Sequence, residues 1–193
     1  MKLTRPVITW LATGILVVSI VGGWLLSRAS NDGVDANMTS PGVVQDPTLG
    51  TNAPVQGKLF SSLYVTAAAN GIEAVVESKG TPLVVNFWYS TCEPCKRELP
   101  TLGAAANKFL QVQFVGINPT DDADTTTQFA QDYGANYPMY LDKSGDALVA
   151  AGVGIMPVTL FVDADGIIRK QHAGELTQDQ LYSYILKYFG VSS

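Results

Sequence analysis

The 193-residue sequence has few of the residues that build crosslinks or metal centres, with only two cysteines and one histidine. Two cysteines form at most one disulfide, which excludes the disulfide framework of a small secreted domain. They are also too few for a four-thiolate zinc site. With 12 Lys and Arg against 17 Asp and Glu, the chain lacks the positive charge of a nucleic-acid-binding protein. We therefore expect no nucleic-acid partner and no metal, and no motif indicates a bound cofactor.

Charge is also missing from one long stretch near the start of the chain. Residues 7–26 contain no charged side chain and, at about 1.5 Å per residue, can cross a hydrocarbon core about 30 Å thick. Lys2 and Arg5 favour a cytoplasmic location for residues 1–6. We predict a transmembrane anchor over 7–26, with the rest of the chain outside the cytoplasm. A cleaved signal peptide is the alternative, although its apolar region is usually only about 7–15 residues long.

Apolar periodicity is absent from residues 27–51, which are rich in Ser, Asn, Asp, Gly and Pro. This composition predicts a flexible linker between the anchor and the rest of the chain. Residues 52–193 have the length of one ordinary domain, and we expect that domain to lie on the extracytoplasmic side.

Both cysteines lie in one short motif, Cys92-Glu93-Pro94-Cys95. The apolar run before it, residues 83–88, predicts a buried strand with a single polar residue, Asn86. Helix-forming residues and apolar spacing from Glu93 onward predict a helix that has Cys92 at its N-terminus and Cys95 one turn inside.

A cysteine at a helix N-terminus is suited to disulfide exchange. The free amides and partial positive charge stabilise a thiolate, which is the attacking species. Cys92 is therefore the predicted nucleophile, and Cys95 can attack the mixed disulfide that Cys92 forms with a substrate. The alternatives are a structural disulfide, whose loop is too small to stabilise much, and half of a zinc site without a second ligand pair.

Apolar runs and turn signals predict the other elements of the domain. Strands are expected at 112–117 and 137–141, with a hairpin of 158–162 and 167–171, and helices at 121–133, 144–151 and 177–189. Pro100 is expected to kink the helix after the dithiol or to make it restart. Residues 58–66 can form a first strand or hairpin, whereas 67–77 has an amphipathic helical pattern. This alternation indicates a mixed sheet flanked by helices.

Three segments resemble the thioredoxin superfamily and, within it, the membrane-anchored TlpA/ResA-like thiol-disulfide oxidoreductases of bacteria. They are NFW before the dithiol, CEPC followed by KRE, and VGIMPVTLFVDADGIIRK at 153–170. The resemblance covers residues 52–189 and implies an α/β fold with a thioredoxin-like mixed β-sheet. It also implies a single-pass protein of the bacterial cell membrane. One departure is Thr91, because the family usually has Trp directly before the first cysteine.

The resemblance also implies roles for residues around the dithiol. It implies a cis bond between Met156 and Pro157, facing the dithiol, although an X-Pro bond is cis in only about 5–6% of folded cases. The exposed Met156 backbone would then bind an extended substrate by strand addition. Glu98, three residues after Cys95, shares a helix face with it and is a candidate proton acceptor for the Cys95 thiol. A solvated surface glutamate is the alternative.

The predicted function is an extracytoplasmic thiol-disulfide oxidoreductase that reduces disulfides in secreted or membrane-associated proteins, for example in cytochrome c maturation. Its partners would be oxidised protein substrates and, as the resemblance implies, a membrane thiol-electron donor. A dithiol oxidase in protein folding is one alternative. A metal-delivery module of the same fold is another, although copper chaperones of this fold have a wider cysteine spacing and a distant histidine.

Overall fold

A computed structural model describes residues 51–191. The predicted anchor at 7–26 and, apart from its last residue, the predicted linker at 27–51 lie outside the described residues. None of the helices within residues 51–191 combines the length and the apolar character that a membrane span requires.

Seven strands form one mixed sheet in the described part of the chain. They are β1 Leu63–Ala67, β2 Glu73–Val76, β3 Leu83–Phe87, β4 Gln113–Asn118, β5 Met139–Leu141, β6 Val158–Val162 and β7 Ile168–Ala173. Across the sheet the order is β2-β1-β5-β4-β3-β6-β7. The β3–β4 and β4–β5 pairs are parallel and the other pairs are antiparallel, which confirms the expected mixed sheet.

Four helices accompany this sheet in the described residues: α1 Glu93–Lys108, α2 Ala123–Asp132, α3 Asp146–Ala150 and α4 Gln178–Phe189. Successive residues of β3 point to opposite faces of the sheet. Val84 accordingly packs in a cluster with residues of α1 and α4, whereas Val85 packs in a second cluster that includes residues of α3. The sheet is therefore buried on both faces at β3, the strand that leads to the dithiol.

The helix that the pattern of residues 67–77 predicts is not formed, so this prediction is wrong. These residues complete β1, turn, and return as β2. The turn depends on Asn70 and Gly71: the Asn70 side chain accepts a hydrogen bond from the N–H of Ile72, and Gly71 has a φ of 71°. A positive φ favours glycine, and Asn-Gly is a strong hairpin signal that outweighs the helix preference of the alanines before it.

The helix does not restart at Pro100, which was one of the two outcomes expected there, since α1 runs from Glu93 to Lys108 without a break. Proline removes one backbone hydrogen bond from the ladder, but Leu99 and Leu102 on either side of it are fully buried. Packing of the buried face therefore holds the helix together across the missing bond.

Candidate active site

Strand β3 and helix α1 together present the two cysteines. The chain leaves β3 through the fully buried Trp88, and Cys92 then caps the N-terminus of α1. The Cys92 Sγ accepts a hydrogen bond from the backbone N of Cys95 at 3.3 Å. The two sulfurs are joined in a disulfide, and the Cα atoms of Cys92 and Cys95 are 5.2 Å apart. Cys92 thus begins the helix as the sequence predicts.

The two cysteines differ in access to solvent. Cys92 keeps 4% of its surface exposed, whereas Cys95 keeps none. Both pack in one cluster with Trp88, Leu99 and residues of α2. An incoming molecule therefore meets Cys92 before Cys95.

A carboxylate fixes the segment just before Cys92. Asp121 accepts hydrogen bonds from both the backbone N and the Oγ of Ser90, at 2.7 and 2.8 Å. The Asn118 side chain donates a further bond to the same carboxylate at 2.7 Å. Because Asn118 ends β4 and Ser90 follows β3, this network ties the approach to Cys92 to the neighbouring parallel strand. The sequence predicts Asp121 only as the first residue of a helix over 121–133.

Glu98 is fully buried, which excludes the surface glutamate that the sequence left open. Its Oε1 accepts a hydrogen bond from Asn86 Nδ2 at 2.7 Å, and its Oε2 accepts one from the backbone N of Leu176 at 3.1 Å. Burial raises the pKa of Glu98 to about 7, against the lowering effect of these two bonds. The carboxyl can therefore take up or release a proton near neutral pH.

Two more buried polar groups surround this carboxyl. Asn86 also donates to Thr159 Oγ1 at 3.1 Å, and its own Oδ1 has no hydrogen-bond partner among the described residues. The Tyr137 hydroxyl is likewise buried and unpaired within residues 51–191, and burial, followed by the charge of Glu98, raises its pKa. The only sequence signal for this polar group was Asn86, a lone amide in an apolar strand. Tyr137 gave no signal, because tyrosine is common in strands.

Met156 and Pro157 lie on the loop that enters β6. The Met156–Pro157 bond is cis, and Pro157 is buried. Met156 is half-buried and packs against the cluster that contains both cysteines. The structure therefore brings this dipeptide, the dithiol and Glu98 together at one end of the sheet.

The comparisons with known proteins agree with this geometry. The AhpC/TSA family model matches residues 65–171. Thiol-disulfide oxidoreductase ResA of Bacillus thuringiensis (strain Al Hakam) is 30% identical over 133 residues, which are 68% of this chain and 77% of that protein. The chain belongs to the AhpC/TSA family. Within it, the chain is a thiol-disulfide oxidoreductase of the ResA type, with a thioredoxin-like fold.

Solved structures of other oxidoreductases are similar to this AhpC/TSA domain. The dsbF protein of MTB, in its mixed oxidised and reduced forms, has a TM-score of 0.61 and 27% identity, and the match covers 69% of this chain and 98% of that one. A secreted Mycobacterium tuberculosis disulfide oxidoreductase homologous to E. coli DsbE has a TM-score of 0.58 and 26% identity, over 65% of this chain and 95% of that one.

Charged side chains around the mouth of this AhpC/TSA site are paired. Glu93, between the cysteines, forms an ion pair with Lys96 at 2.5 Å, and the Lys96 hydrogen bond lowers the pKa of Glu93. Arg97 pairs with Glu175 at 2.6 Å. Thr91 is exposed directly before Cys92. The two charges of each pair offset one another, so Lys96 reduces the field that Glu93 exerts at Cys92.

His172 forms no hydrogen bond with either cysteine or with Glu98 among the described residues. Its Nε2 is 3.2 Å from the backbone oxygen of Glu175, and its ring lies beside Tyr184. Within residues 51–191 no group of three or more His, Cys, Asp or Glu side chains is arranged to hold a metal ion.

Proposed function

We propose that this oxidoreductase works outside the cytoplasm and reduces disulfides of secreted or membrane-associated proteins through Cys92 and Cys95. One observation carries the proposal: the Cys92–Cys95 pair begins α1, and the same helix buries Glu98, whose pKa is raised to about 7, behind it. A structural disulfide has no need of a buried carboxyl that titrates near neutral pH.

In the reduced enzyme, the Cys92 thiolate attacks one sulfur of a substrate disulfide. A mixed disulfide forms and one substrate thiolate leaves. Cys95 then attacks the Cys92 sulfur, which releases the second substrate thiol and closes the Cys92–Cys95 disulfide. Two electrons pass from the enzyme to the substrate, and a thiol donor must restore the dithiol.

Glu98 serves the second of these steps as a proton acceptor. Cys95 is buried and must lose its proton before it can attack, and a buried thiol resists ionisation. Ionised Glu98 takes that proton, and its pKa of about 7 lets it accept the proton and release it afterwards. Asn86 and Leu176 hold the carboxyl in place through their hydrogen bonds.

Met156 binds the substrate backbone in this proposal. Its N–H and carbonyl form no hydrogen bond within the described part of the chain. An extended segment next to the substrate disulfide can therefore pair with Met156 by strand addition, beside Cys92.

The direction of transfer is reductive. Negative charge near the thiols disfavours the ionised reduced form and makes the pair less oxidising. Ionised Glu98 supplies such charge, whereas Lys96 largely offsets Glu93. Oxidases of the DsbA type also carry a large helical insertion, and between β4 and β6 this chain has only α2, β5 and α3.

Cytochrome c maturation is one process that needs such a reductant, and a membrane thiol-electron donor would recharge the enzyme. The uncharged stretch at 7–26 holds the domain at the outer face of the bacterial cell membrane in this proposal.

Redox equilibration of the full chain against glutathione tests the direction, with Trp88 fluorescence or thiol alkylation as the readout. We expect a midpoint closer to that of thioredoxin, about −270 mV, than to that of DsbA, about −120 mV. A midpoint above about −150 mV, on the scale that gives disulfide isomerase about −180 mV, would instead identify a dithiol oxidase.

A further inference from the structure

The first described residues of the chain cross the loop that leads to Met156. We call residues 52–55 the strap. The backbone N of Ala53 donates to the oxygen of Gly152 at 2.8 Å, and the side chain of Gln171, on β7, bonds to the backbone of both Ala53 and Val55. The strap is therefore attached on one side to this loop and on the other to β7.

The contact between strap and loop is close. A Cβ on Gly152 would lie 2.9 Å from Val55 Cγ1 and 3.2 Å from the backbone oxygen of Ala53. Gly152 also has a φ of 66°, a conformation that L side chains rarely adopt. Only glycine fits the loop under the strap at this position.

Asn52, the first residue of the strap, binds the two residues that precede Met156. Its Oδ1 accepts hydrogen bonds from the backbone N–H groups of Gly154, at 2.8 Å, and of Ile155, at 2.9 Å. An amide oxygen has two lone pairs, and here both are used by consecutive residues. Gly154 and Ile155 are exposed, so without Asn52 their N–H groups would bond to water and their backbone would be free to move.

Gly154 and Ile155 come directly before Met156, whose backbone N–H and carbonyl form no hydrogen bond within the described residues. We propose that Asn52 is a positioning residue for substrate binding: it holds residues 154 and 155 so that the Met156 backbone is presented to an extended disulfide substrate. This rests on the proposed function of Met156. Asn52 touches neither cysteine nor Glu98 through any hydrogen bond of the described residues, so it acts through the loop alone.

The proposal predicts a defect in binding but not in chemistry. Without Asn52 the loop must be ordered when substrate binds, which weakens binding equally in the ground state and the transition state. In the full chain, Asn52→Ala should raise KM for an extended disulfide peptide about threefold or more, with kcat nearly unchanged. Its rate with the small disulfide 5,5′-dithiobis(2-nitrobenzoate), which has no peptide backbone, should equal that of the wild type.

Two matched variants separate this from a general loss of structure. Asn52→Asp keeps an acceptor oxygen at the same place and should restore the wild-type KM. Asn70→Ala removes a similar bond in the β1–β2 turn, in which Asn70 Oδ1 accepts from the Ile72 N–H, and should change neither KM nor the small-disulfide rate. An unchanged KM for the peptide in Asn52→Ala would overturn the proposal. An equal loss of rate with the disulfide peptide and with the small disulfide would also overturn it.

Amide hydrogen exchange tests the same inference without activity. Asn52→Ala should speed exchange at Gly154 and Ile155, while Asn70→Ala should leave both unchanged. If the wild type does not reduce the peptide, the proposed function fails, and exchange alone decides whether Asn52 holds the loop. Unaltered exchange at both residues in Asn52→Ala would refute that holding role.

Discussion

The chemistry of Glu98 depends strongly on its surroundings in the fold. In water a glutamate is ionised throughout the neutral range, but here burial raises the pKa of Glu98 to about 7 from its usual value of 4.5. The two N–H donors, from Asn86 and Leu176, both point to the carboxyl oxygens and favour the ionised form. The carboxyl is thus balanced between two states, which is what its proposed role as proton acceptor requires.

Replacing this carboxyl with an amide should slow disulfide exchange. Glu98→Gln keeps nearly the same shape but cannot accept the Cys95 proton, so we expect a rate loss of about 100-fold, within the range of general acid–base catalysis. Stopped-flow measurement across pH 5–9 should show an inflection near pH 7 in the wild type only. If the two pH–rate profiles coincide, Glu98 takes no part in proton transfer.

The same variant should change how stability depends on pH. Between pH 4.5 and 7 the folded protein keeps a proton on Glu98 that the unfolded chain releases, so the free energy of unfolding falls as pH rises through this window. The full effect is about 3 kcal/mol, reached above pH 7. Below pH 4.5 both states hold the proton and the contribution of Glu98 is constant.

Urea unfolding of the oxidised protein at pH 5 and pH 8 measures this effect, and Glu98→Gln should lack it. His172, whose pKa is lowered by burial, contributes the opposite slope in both proteins, so the difference between them isolates Glu98. The raised pKa predicts that the wild type loses stability relative to Glu98→Gln between pH 5 and pH 8. An equal change in the free energy of unfolding of the two proteins over this interval would contradict the raised pKa.

At the scale of elements, α1 is positioned by close contact as well as by its buried face. Gly103 faces the turn after α2, where an added Cβ would lie 2.0 Å from the backbone oxygen of Gly134. Backbone atoms cannot move aside as a flexible side chain can. This contact fixes how closely the helix that begins at Cys92 approaches the α2 segment.

Gly103→Ala should therefore destabilise the domain by about 1–3 kcal/mol, as overpacking does, although alanine is the better helix former by about 1 kcal/mol. Ala104→Gly, at the exposed neighbouring position, should cost about 1 kcal/mol from helix propensity alone. Urea unfolding checks both variants. A Gly103→Ala protein more stable than the wild type would show that propensity prevails and that the contact is loose.

The elements that were predictable from sequence are those in which local and tertiary preferences agree. The apolar run of β3, the helix start at Cys92 and the hairpin of β6 and β7, with Asp165-Gly166 in its turn, combine a clear pattern with a clear boundary signal. The β1–β2 hairpin was missed because three alanines favour a helix locally, and only Asn70 and Gly71 favour the turn. At the site, the spacing from Cys95 and the family resemblance together made Glu98 a candidate, but its burial and its bonds to Asn86 and Leu176 depend on contacts between distant segments.

For the whole molecule, the anchor predicted over residues 7–26 would set the side of the membrane on which the chemistry takes place. We expect the full chain to remain in the membrane fraction after carbonate extraction, because residues 7–26 provide an uncharged span of sufficient length. We also expect protease added outside the cell to reach the domain. A control chain that begins at Ser27 should be released. Extraction of the full chain by carbonate, or a mature N-terminus near Ala29, would favour a cleaved signal peptide.

Trapping of the mixed disulfide tests most directly whether Cys92 attacks and Cys95 resolves. The full chain with Cys95→Ser, expressed in cells and separated without reductant, should accumulate a disulfide between Cys92 and a substrate protein, and mass spectrometry of the joined peptides identifies both cysteines. Cys92→Ser and the double serine variant serve as controls and should trap nothing, because Cys95 is buried. Trapping through Cys95 in Cys92→Ser, with none in Cys95→Ser, would reverse the two roles and contradict the proposed mechanism.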